Sequence, residues 1–465
     1  MTEKLPVADV SIELLHRYNV PGPRYTSYPT APVWREDFSP SDYEKTLQES
    51  AREGADAAPL SVYVHLPFCE TLCFFCACTV IITGNHSVEE PYLALVEREI
   101  DWVAERAGAK ERQLIQLHWG GGTPTYLSPE HVSRLAEKLR RSFRFAPDAE
   151  VGVEVDPRVT TPAHLEALSR AGFNRLSMGV QDFDPDVQKA INRIQPFEKT
   201  RDLVRTARGM GFDSVNVDLI FGLPLQTPES FRTTIERILE IAPDRLAVYS
   251  YANVPWMKKH QKLLEDRLPG ERGKFEIFRT ALQLFTEAGY EYIGMDHFAR
   301  PDDELARARR DRTLYRNFQG YTTKAGTDLV GIGVSAIGAI GDSFVQNRRE
   351  LARYREAIGA DGAATFRGFR LSFDDRVRRL VIGNLLCHGV VVFREIEQEF
   401  GIDFREYFAT ALDALAGCVA DGLVDVSDSE IRATPLGRIF LRNLAMPFDA
   451  YLPAQLEKPV FSRTL

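Results

Sequence analysis

Cysteine is almost absent from this chain, with six in 465 residues. That scarcity excludes a disulfide scaffold. Long hydrophobic runs are missing too, and no window approaches the ~18 apolar residues that a membrane-crossing helix needs. The opening "MTEKLPVADVSIELL" lacks the basic start and apolar stretch of a signal peptide, so a cytoplasmic location is expected. Positive charge is in deficit, with 57 Lys and Arg against 66 Asp and Glu and a net charge of −9. General nucleic-acid binding leaves a basic footprint and is disfavoured. A local basic pocket for an acidic small molecule remains compatible with that balance. There is no low-complexity segment, and the only repeat is a strand–helix rhythm.

What cysteine there is lies together. The stretch "CETLCFFCAC" holds four, Cys69, Cys73, Cys76 and Cys78. Cys387 and Cys418 sit on apolar faces and are expected to be inert core residues. Clustered thiols in a reducing compartment point to metal binding or catalysis. A zinc ribbon would pair two C-x2-C units across a longer loop, and no second pair exists here. Phe74 and Phe75 would shield whatever the loop holds. Three thiolates on one short loop can hold three corners of a cubane. Iron–sulfur clusters ordinarily take four cysteines, so a three-cysteine loop leaves one iron open for chemistry.

The surroundings of that loop are regular. Apolar strand-like runs appear at "LSVYVHLP", "LIQLHWGGG", "EVGVEVDP", "RLSMGVQDF", "SVNVDLIFGLP" and "RLAVYSYANVP". Segments of 3.6-residue spacing lie between them, among them "YLALVEREIDWVAERA", "HVSRLAEKLRRSF" and "SFRTTIERILEI". This alternation predicts an α/β fold with parallel strands and crossover helices. Six repeats suit an open or partial (βα)6 barrel better than a closed eight-fold one, with a doubly wound sheet as the alternative. A further strand is expected at "YEYIGMDHF". Cys69, "GGGT" at 120–123, Glu154, Gln181, Asp218 and Asn253 all fall at strand C-terminal ends, where barrels assemble their sites. Asp156, before Pro157, reads more simply as a cap.

Residues 1–40 form a Pro- and Tyr-rich arm, residues 41–345 the barrel, and residues 346–465 a smaller, mostly helical, winged-helix-like C-terminal domain. Packing against the barrel is the expected role of that domain rather than DNA binding.

On these motifs the chain resembles the radical S-adenosylmethionine (SAM) superfamily. Within it, the chain is similar to the oxygen-independent coproporphyrinogen III oxidases. The likeness runs through "YNVPGPRYTSYPTA", "VHLPFC", "HWGGGTPTYL", "VEVDPR", "GVQDF", "VDLIFGLP", "MDHFARPDDEL", "RNFQGYTT" and the final "FSRTL". The resemblance implies a radical-SAM barrel and an oxidoreductase carrying a 4Fe-4S cluster on Cys69, Cys73 and Cys76. Cys78 would be an extra, non-ligating cysteine. Tyr63, Gly121, Glu154 and Ile337 would contact the SAM on the cluster. Phe75, Gly122, Thr123, Gln181, Arg193, Asp218 and Ala252 would line a site for a second SAM.

The implied reaction turns two propionates of coproporphyrinogen III into vinyl groups, giving protoporphyrinogen IX, through a 5′-deoxyadenosyl radical. No side chain is required as acid or base at the abstraction step. An electron donor such as flavodoxin or ferredoxin is implied, with a monomeric protein and no nucleic-acid or membrane partner. Arg24 and Tyr25 of the arm are expected to hold propionates, and deleting residues 1–35 is expected to spare the cluster and abolish decarboxylation. The alternatives are a haem-binding chaperone of the same superfamily and a zinc-bound structural or regulatory protein. Cys78 and "PGPRYTSYPT" favour the oxidase over the chaperone.

Overall fold

The computed structural model describes residues 10–456 and 461–464. Each apolar run becomes a strand: β1 (Leu60–Leu66), β2 (Gln113–Gly121), β3 (Arg144–Val155), β4 (Arg175–Gln181), β5 (Ser214–Phe221) and β6 (Arg245–Ser250). All six are parallel neighbours in chain order. Their crossover helices include Glu89–Arg106, Pro129–Ser142, Pro162–Arg170 and Pro228–Ile241. Three of these begin alike, with Ser128, Thr161 or Thr227 accepting a backbone N–H three residues on and Pro at the first helical position. The hydroxyl satisfies an otherwise orphaned donor, and Pro gives up no helical hydrogen bond there.

The sheet extends further than the six-fold rhythm implied. The expected strand "YEYIGMDHF" is two strands, β7 (Glu291–Gly294) and β8 (His297–Ala299), paired antiparallel to each other. Met295, at φ 51°, takes the left-handed turn between them. After a hairpin of β9 (Tyr315–Asn317) and β10 (Gly320–Thr322), the chain returns as β11 (Asp328–Ile332), parallel to β1 on its free side. Next come β12 (Ile337–Ile340), β13 (Ser343–Asn347) and β14 (Thr365–Arg370). Among the described residues the sheet has twelve strands, in the order β14-β13-β12-β11-β1-β2-β3-β4-β5-β6-β8-β7. Seven consecutive parallel strands, one more than the sequence rhythm implied, therefore form the barrel wall.

Buried Glu99, on helix Glu89–Arg106, locks the junction of β1 and β11. Its carboxylate accepts from Gly333 N–H (2.7 Å), Asn347 Nδ2 (2.6 Å) and the Tyr354 hydroxyl (2.6 Å). Burial raises its pKa to about 7 against those three hydrogen bonds.

The C-terminal part holds helices Phe373–His388 and Phe393–Phe400, shorter helical turns, and a three-stranded sheet that includes a hairpin of Val424–Val426 and Glu430–Ala433. Cys387 and Cys418 are buried. The N-terminal arm is core material. Tyr18, Tyr25, Tyr28 and Trp34 are all buried, and Trp34 stacks on Phe344 at 5.2 Å. Removing residues 1–35 would therefore also cost packing energy, and point substitutions are the cleaner probe. No helix of the described residues is long and apolar enough to cross a membrane.

Candidate active site

The cysteine loop leaves the end of β1 and is held by backbone contacts. Cys69 O accepts from Thr83 N–H (3.0 Å), and Pro67 O accepts from Ile81 N–H (2.7 Å). Phe74 N–H reaches Ile191 O (2.9 Å), and Asn192 Nδ2 donates to Leu72 O (2.8 Å). The segment after β6 closes the other side. Lys258 Nζ donates to Cys78 O (2.6 Å), His260 Nε2 lies 3.0 Å from Cys76 O, and Gln261 Nε2 donates to Phe75 O (2.9 Å) and Ala252 O (3.2 Å). Phe74 and Phe75 pack onto buried Val187, Ile191, Leu223, Tyr251 and Leu264, which covers the loop with apolar surface as the sequence implied.

The thiols meet donors suited to thiolate ligands. Thr123 Oγ1 lies 3.4 Å from Cys69 Sγ. Cys73 Sγ accepts from Arg158 Nη2 (3.4 Å) and faces Arg193 Nη1 (3.6 Å). Both guanidiniums are fixed by Asp156, whose Oδ2 lies 2.7 Å from Arg158 Nη2 and 3.0 Å from Arg193 Nη1. Asp156 does serve a local cap, since its Oδ1 accepts from Arg158 N–H (2.9 Å), but its larger part is this buried ion-pair network. Burial pushes the Cys69 thiol up to about 11. A metal displaces that proton on binding. Among the described residues no three His, Cys, Asp or Glu side chains converge on a single point as one ion requires. A cubane gives each thiolate its own iron. The donor set therefore fits a three-cysteine 4Fe-4S cluster, with N–H and O–H groups on its sulfurs.

Beside the loop, Gly121 ends β2 and Gly122 follows it. Gly121 has φ +112°, and a Cβ there would meet the His65 ring at 2.5 Å. A Cβ on Gly122 would meet Pro67 and Phe68 backbone atoms at 2.6–2.7 Å. Glycine is thus the residue that lets β2 close on the strand leading to Cys69.

Glu154 stands at the mouth with its side chain 44% exposed. It accepts from Gly121 N–H (3.2 Å) and lies 3.4 Å from His118 Nε2. Desolvation alone would raise its pKa, but His118 and the Gly121 N–H outweigh it and hold the carboxyl below its ordinary value. The Tyr63 ring stacks on His118, and its hydroxyl lies 3.0 Å from His65 Nδ1. Burial lowers the His65 pKa, and its other nitrogen lies 3.0 Å from Thr79 O. Neutral His65 can therefore accept from Tyr63 while donating to Thr79.

Asp218 faces the barrel interior next to Asn216 Nδ2 (2.7 Å). Burial first and the Glu154 charge second raise its pKa to about 7, so it can donate as well as accept at neutral pH. Gln181 has φ 72° and lies buried beside Arg193. Arg193 Nη2 donates to Gly179 O (2.6 Å), while its buried Nε has no partner.

The structure brings Cys69, Cys73, Phe75, Cys76, Gly121, Gly122, Thr123, Glu154, Gln181, Arg193 and Ala252 to one end of the barrel. Ile337 opens β12 and packs in an apolar cluster with Trp34, Phe318 and Phe344. Arg24 forms an ion pair with Asp296 (2.5 Å) and Tyr25 donates to Asp449 (3.1 Å), so both arm residues already have protein partners. His65, His118 and Arg158 were not singled out from sequence. Each sits inside a motif that was, "VHLPFC", "HWGGGTPTYL" and "VEVDPR".

Residues 63–238 match the family model of the radical SAM superfamily, and residues 371–440 match the HemN C-terminal domain. Oxygen-independent coproporphyrinogen III oxidase of Salmonella typhimurium is 48% identical over 458 residues, 98% of this chain and 99% of the relative. The protein of that name from Pseudomonas aeruginosa is 46% identical over 456 residues, 97% and 98% of the two chains. The solved coproporphyrinogen III oxidase (HemN) of Escherichia coli, a radical SAM enzyme, superposes with a TM-score of 0.90 at 45% identity, covering 95% of this chain and 99% of its own.

Proposed function

Because the chain belongs to the oxygen-independent coproporphyrinogen III oxidases of the radical SAM superfamily, we propose the roles its own residues take in that reaction. The activity is oxidation of coproporphyrinogen III with a 4Fe-4S cluster and SAM as cofactors. When bound, the cluster and SAM would supply the radical that takes hydrogen from a propionate β-carbon, and loss of CO2 with transfer of one electron to an external acceptor would leave a vinyl group.

Cys69, Cys73 and Cys76 would hold the cluster, with Thr123 beside the Cys69 thiolate and Arg158 and Arg193 beside that of Cys73. Gly121 and Gly122 let backbone approach the nucleotide closely. Glu154, charged at neutral pH, pairs with the ammonium or ribose hydroxyls of the cluster-bound SAM. Tyr63 and Ile337 flank that SAM. Phe75, Gly122, Thr123, Gln181, Arg193, Asp218 and Ala252 line the second SAM site, where the half-satisfied Arg193 fork receives a carboxylate. The apolar cover of Phe74 and Phe75 keeps water from a reactive alkyl radical. A one-electron carrier such as flavodoxin or ferredoxin supplies the electron, and the enzyme works as a cytoplasmic monomer.

The carrying observation is the three-thiol loop, with fixed guanidinium donors on Cys73, placed at the end of β1 beside Glu154. The test is anaerobic reconstitution followed by iron and sulfide analysis and assays of 5′-deoxyadenosine and CO2 with coproporphyrinogen III. A cluster whose spectrum does not change on adding SAM overturns the assignment of residues. Stable haem binding without turnover would point to the chaperone instead.

A further inference from the structure

A cavity of about 570 Å³ lies between the arm, the hairpin β9–β10, the inner face of β11–β13 and helix Phe373–His388. That volume is in the range of small-molecule sites. In a chain of net charge −9 its lining is unusual, with Arg312, Arg316, Arg376 and Arg379 against Asp342 and Glu399. Arg312 is paired with Glu395 (2.8 Å) and Arg376 with Asp342 (3.4 Å). Arg316 and Arg379 have no carboxylate partner among the described residues. Arg379 donates one hydrogen bond, from Nη2 to the Tyr315 hydroxyl (2.8 Å), with its guanidinium 5.3 Å from the Phe344 ring. Arg316 lies over Tyr321 at 4.8 Å, and its Nε and Nη1 are buried with no partner at all. An unpaired buried guanidinium is costly unless something supplies the missing acceptor.

The rest of the lining mixes aromatic and aliphatic side chains, including Phe318 and Phe344, with polar ones such as Asn317 and Asn384. One edge of the cavity lies beside Ile337, the residue proposed above to flank SAM. Phe318 packs edge-on against Trp34 (5.6 Å) in the cluster that contains Ile337. The hairpin borders both spaces: Arg316 and Phe318 line the cavity, and Gln319 and Tyr321, the latter paired across the hairpin with Arg316, line the barrel interior that Glu154 and Asp218 also line.

A flexible, non-planar tetrapyrrole with four carboxylates on its rim matches a roomy cavity that offers aromatic contacts and arginines without carboxylate partners. We propose that this cavity seats the tetrapyrrole, with Arg316 and Arg379 receiving propionates that are not reacting. The inference rests on the function above and adds the place and the residues that hold the substrate. It moves the anchoring role from Arg24, which Asp296 already occupies, to Arg316 and Arg379. One reacting propionate then points past Phe318 toward Ile337, and two fixed charges hold the macrocycle while it does so.

The test uses anaerobically reconstituted enzyme and the variants Arg316→Gln and Arg379→Gln. Losing a charge-assisted fork is expected to raise KM for coproporphyrinogen III about 10-fold or more in each. The affinity of SAM, read from the cluster spectrum, stays unchanged. Coproporphyrin III binding, read by fluorescence, weakens in parallel, whereas its tetramethyl ester binds weakly to wild type and variants alike. Arg316→Lys keeps the charge without the fork and recovers part of the loss, which a purely structural role would not produce. KM and porphyrin affinity within twofold of wild type in both Gln variants overturn the proposal, as does an ester that binds as tightly as the acid. If wild type turns over substrate and the variants match it, only this inference fails. If wild type binds SAM at its cluster but neither binds nor converts the tetrapyrrole, the functional reading fails with it.

Discussion

Replacing Gly122 by alanine tests whether the fit of β2 against the cluster-bearing strand governs the chemistry. The new Cβ would lie 2.6 Å from the carbonyl carbon and oxygen of Pro67 and 2.7 Å from Phe68 O. Those are main-chain atoms, so no rotamer change relieves the contact. Reaching ordinary van der Waals distance means separating two backbones by roughly 0.8 Å, and overpacking of this kind costs about 1–3 kcal/mol. The same contact would weaken the hydrogen bonds from Gly122 N–H to Leu66 O (2.8 Å) and from Thr123 N–H to Phe68 O (2.8 Å). The displaced atoms immediately precede Cys69. Because a misplacement of about 1 Å near reacting groups can lower a rate about 100-fold, 5′-deoxyadenosine formation is expected to fall by that order while the melting temperature drops by only a few degrees. Gly84→Ala is the control on the same loop, since a Cβ there meets nothing within 4 Å. Measurement needs anaerobic iron and sulfide counts, a thermal melt and the 5′-deoxyadenosine assay on all three proteins. A Gly122→Ala enzyme with full iron content and wild-type rate would refute the reasoning.

Arg158→Gln removes a cationic donor 3.4 Å from Cys73 Sγ. The reduced cluster loses stabilisation, so an EPR-monitored redox titration should show a lower potential, with iron content maintained. Glu99 holds its proton up to about pH 7 when folded, against 4.5 for the free side chain. The unfolded chain therefore releases that proton first, and stability falls as pH rises from 4.5 to 7, by about 3 kcal/mol at most. Glu99→Gln should flatten that part of the curve of melting temperature against pH, and an unchanged slope would count against the assignment. Trp34→Ala, which empties a stacked and edge-on aromatic contact with Phe344 and Phe318, is expected to cost about 3–5 kcal/mol in denaturant unfolding. A loss below 1 kcal/mol would show the arm to be loosely held.

The barrel strands were legible because six buried parallel strands read as apolar runs and each ends in a polar residue at the same face. β11 was not. Five residues, "DLVGI", carry no periodicity that distinguishes a strand from a buried turn, and its pairing with β1 is set by tertiary packing. The break at Met295 was hidden because a left-handed turn at a non-glycine residue leaves no composition signal. Within the site, the cysteine spacing was unmistakable, whereas Asp156 read as a cap. Its local hydrogen bond to Arg158 N–H is real, but Arg193 comes to it from after the next strand, and only folding reveals that. Arg316 and Arg379 were silent for a related reason. Two arginines in a chain with many are ordinary until their lack of acidic partners becomes visible.

The position of β11 has a further consequence for biogenesis. The strand that presents the thiols acquires its second neighbour from a segment made much later by the ribosome, and Glu99 meets its partners there, Gly333, Asn347 and Tyr354, just as late. Parallel pairing over such a chain separation is slow to form. Until it forms, the sulfurs of a nascent polypeptide hang from a strand supported on one side, open to oxygen and to adventitious metals. Cluster loading should therefore be a late event that follows completion of the sheet, and a chain ending before residue 328 should be unable to retain iron.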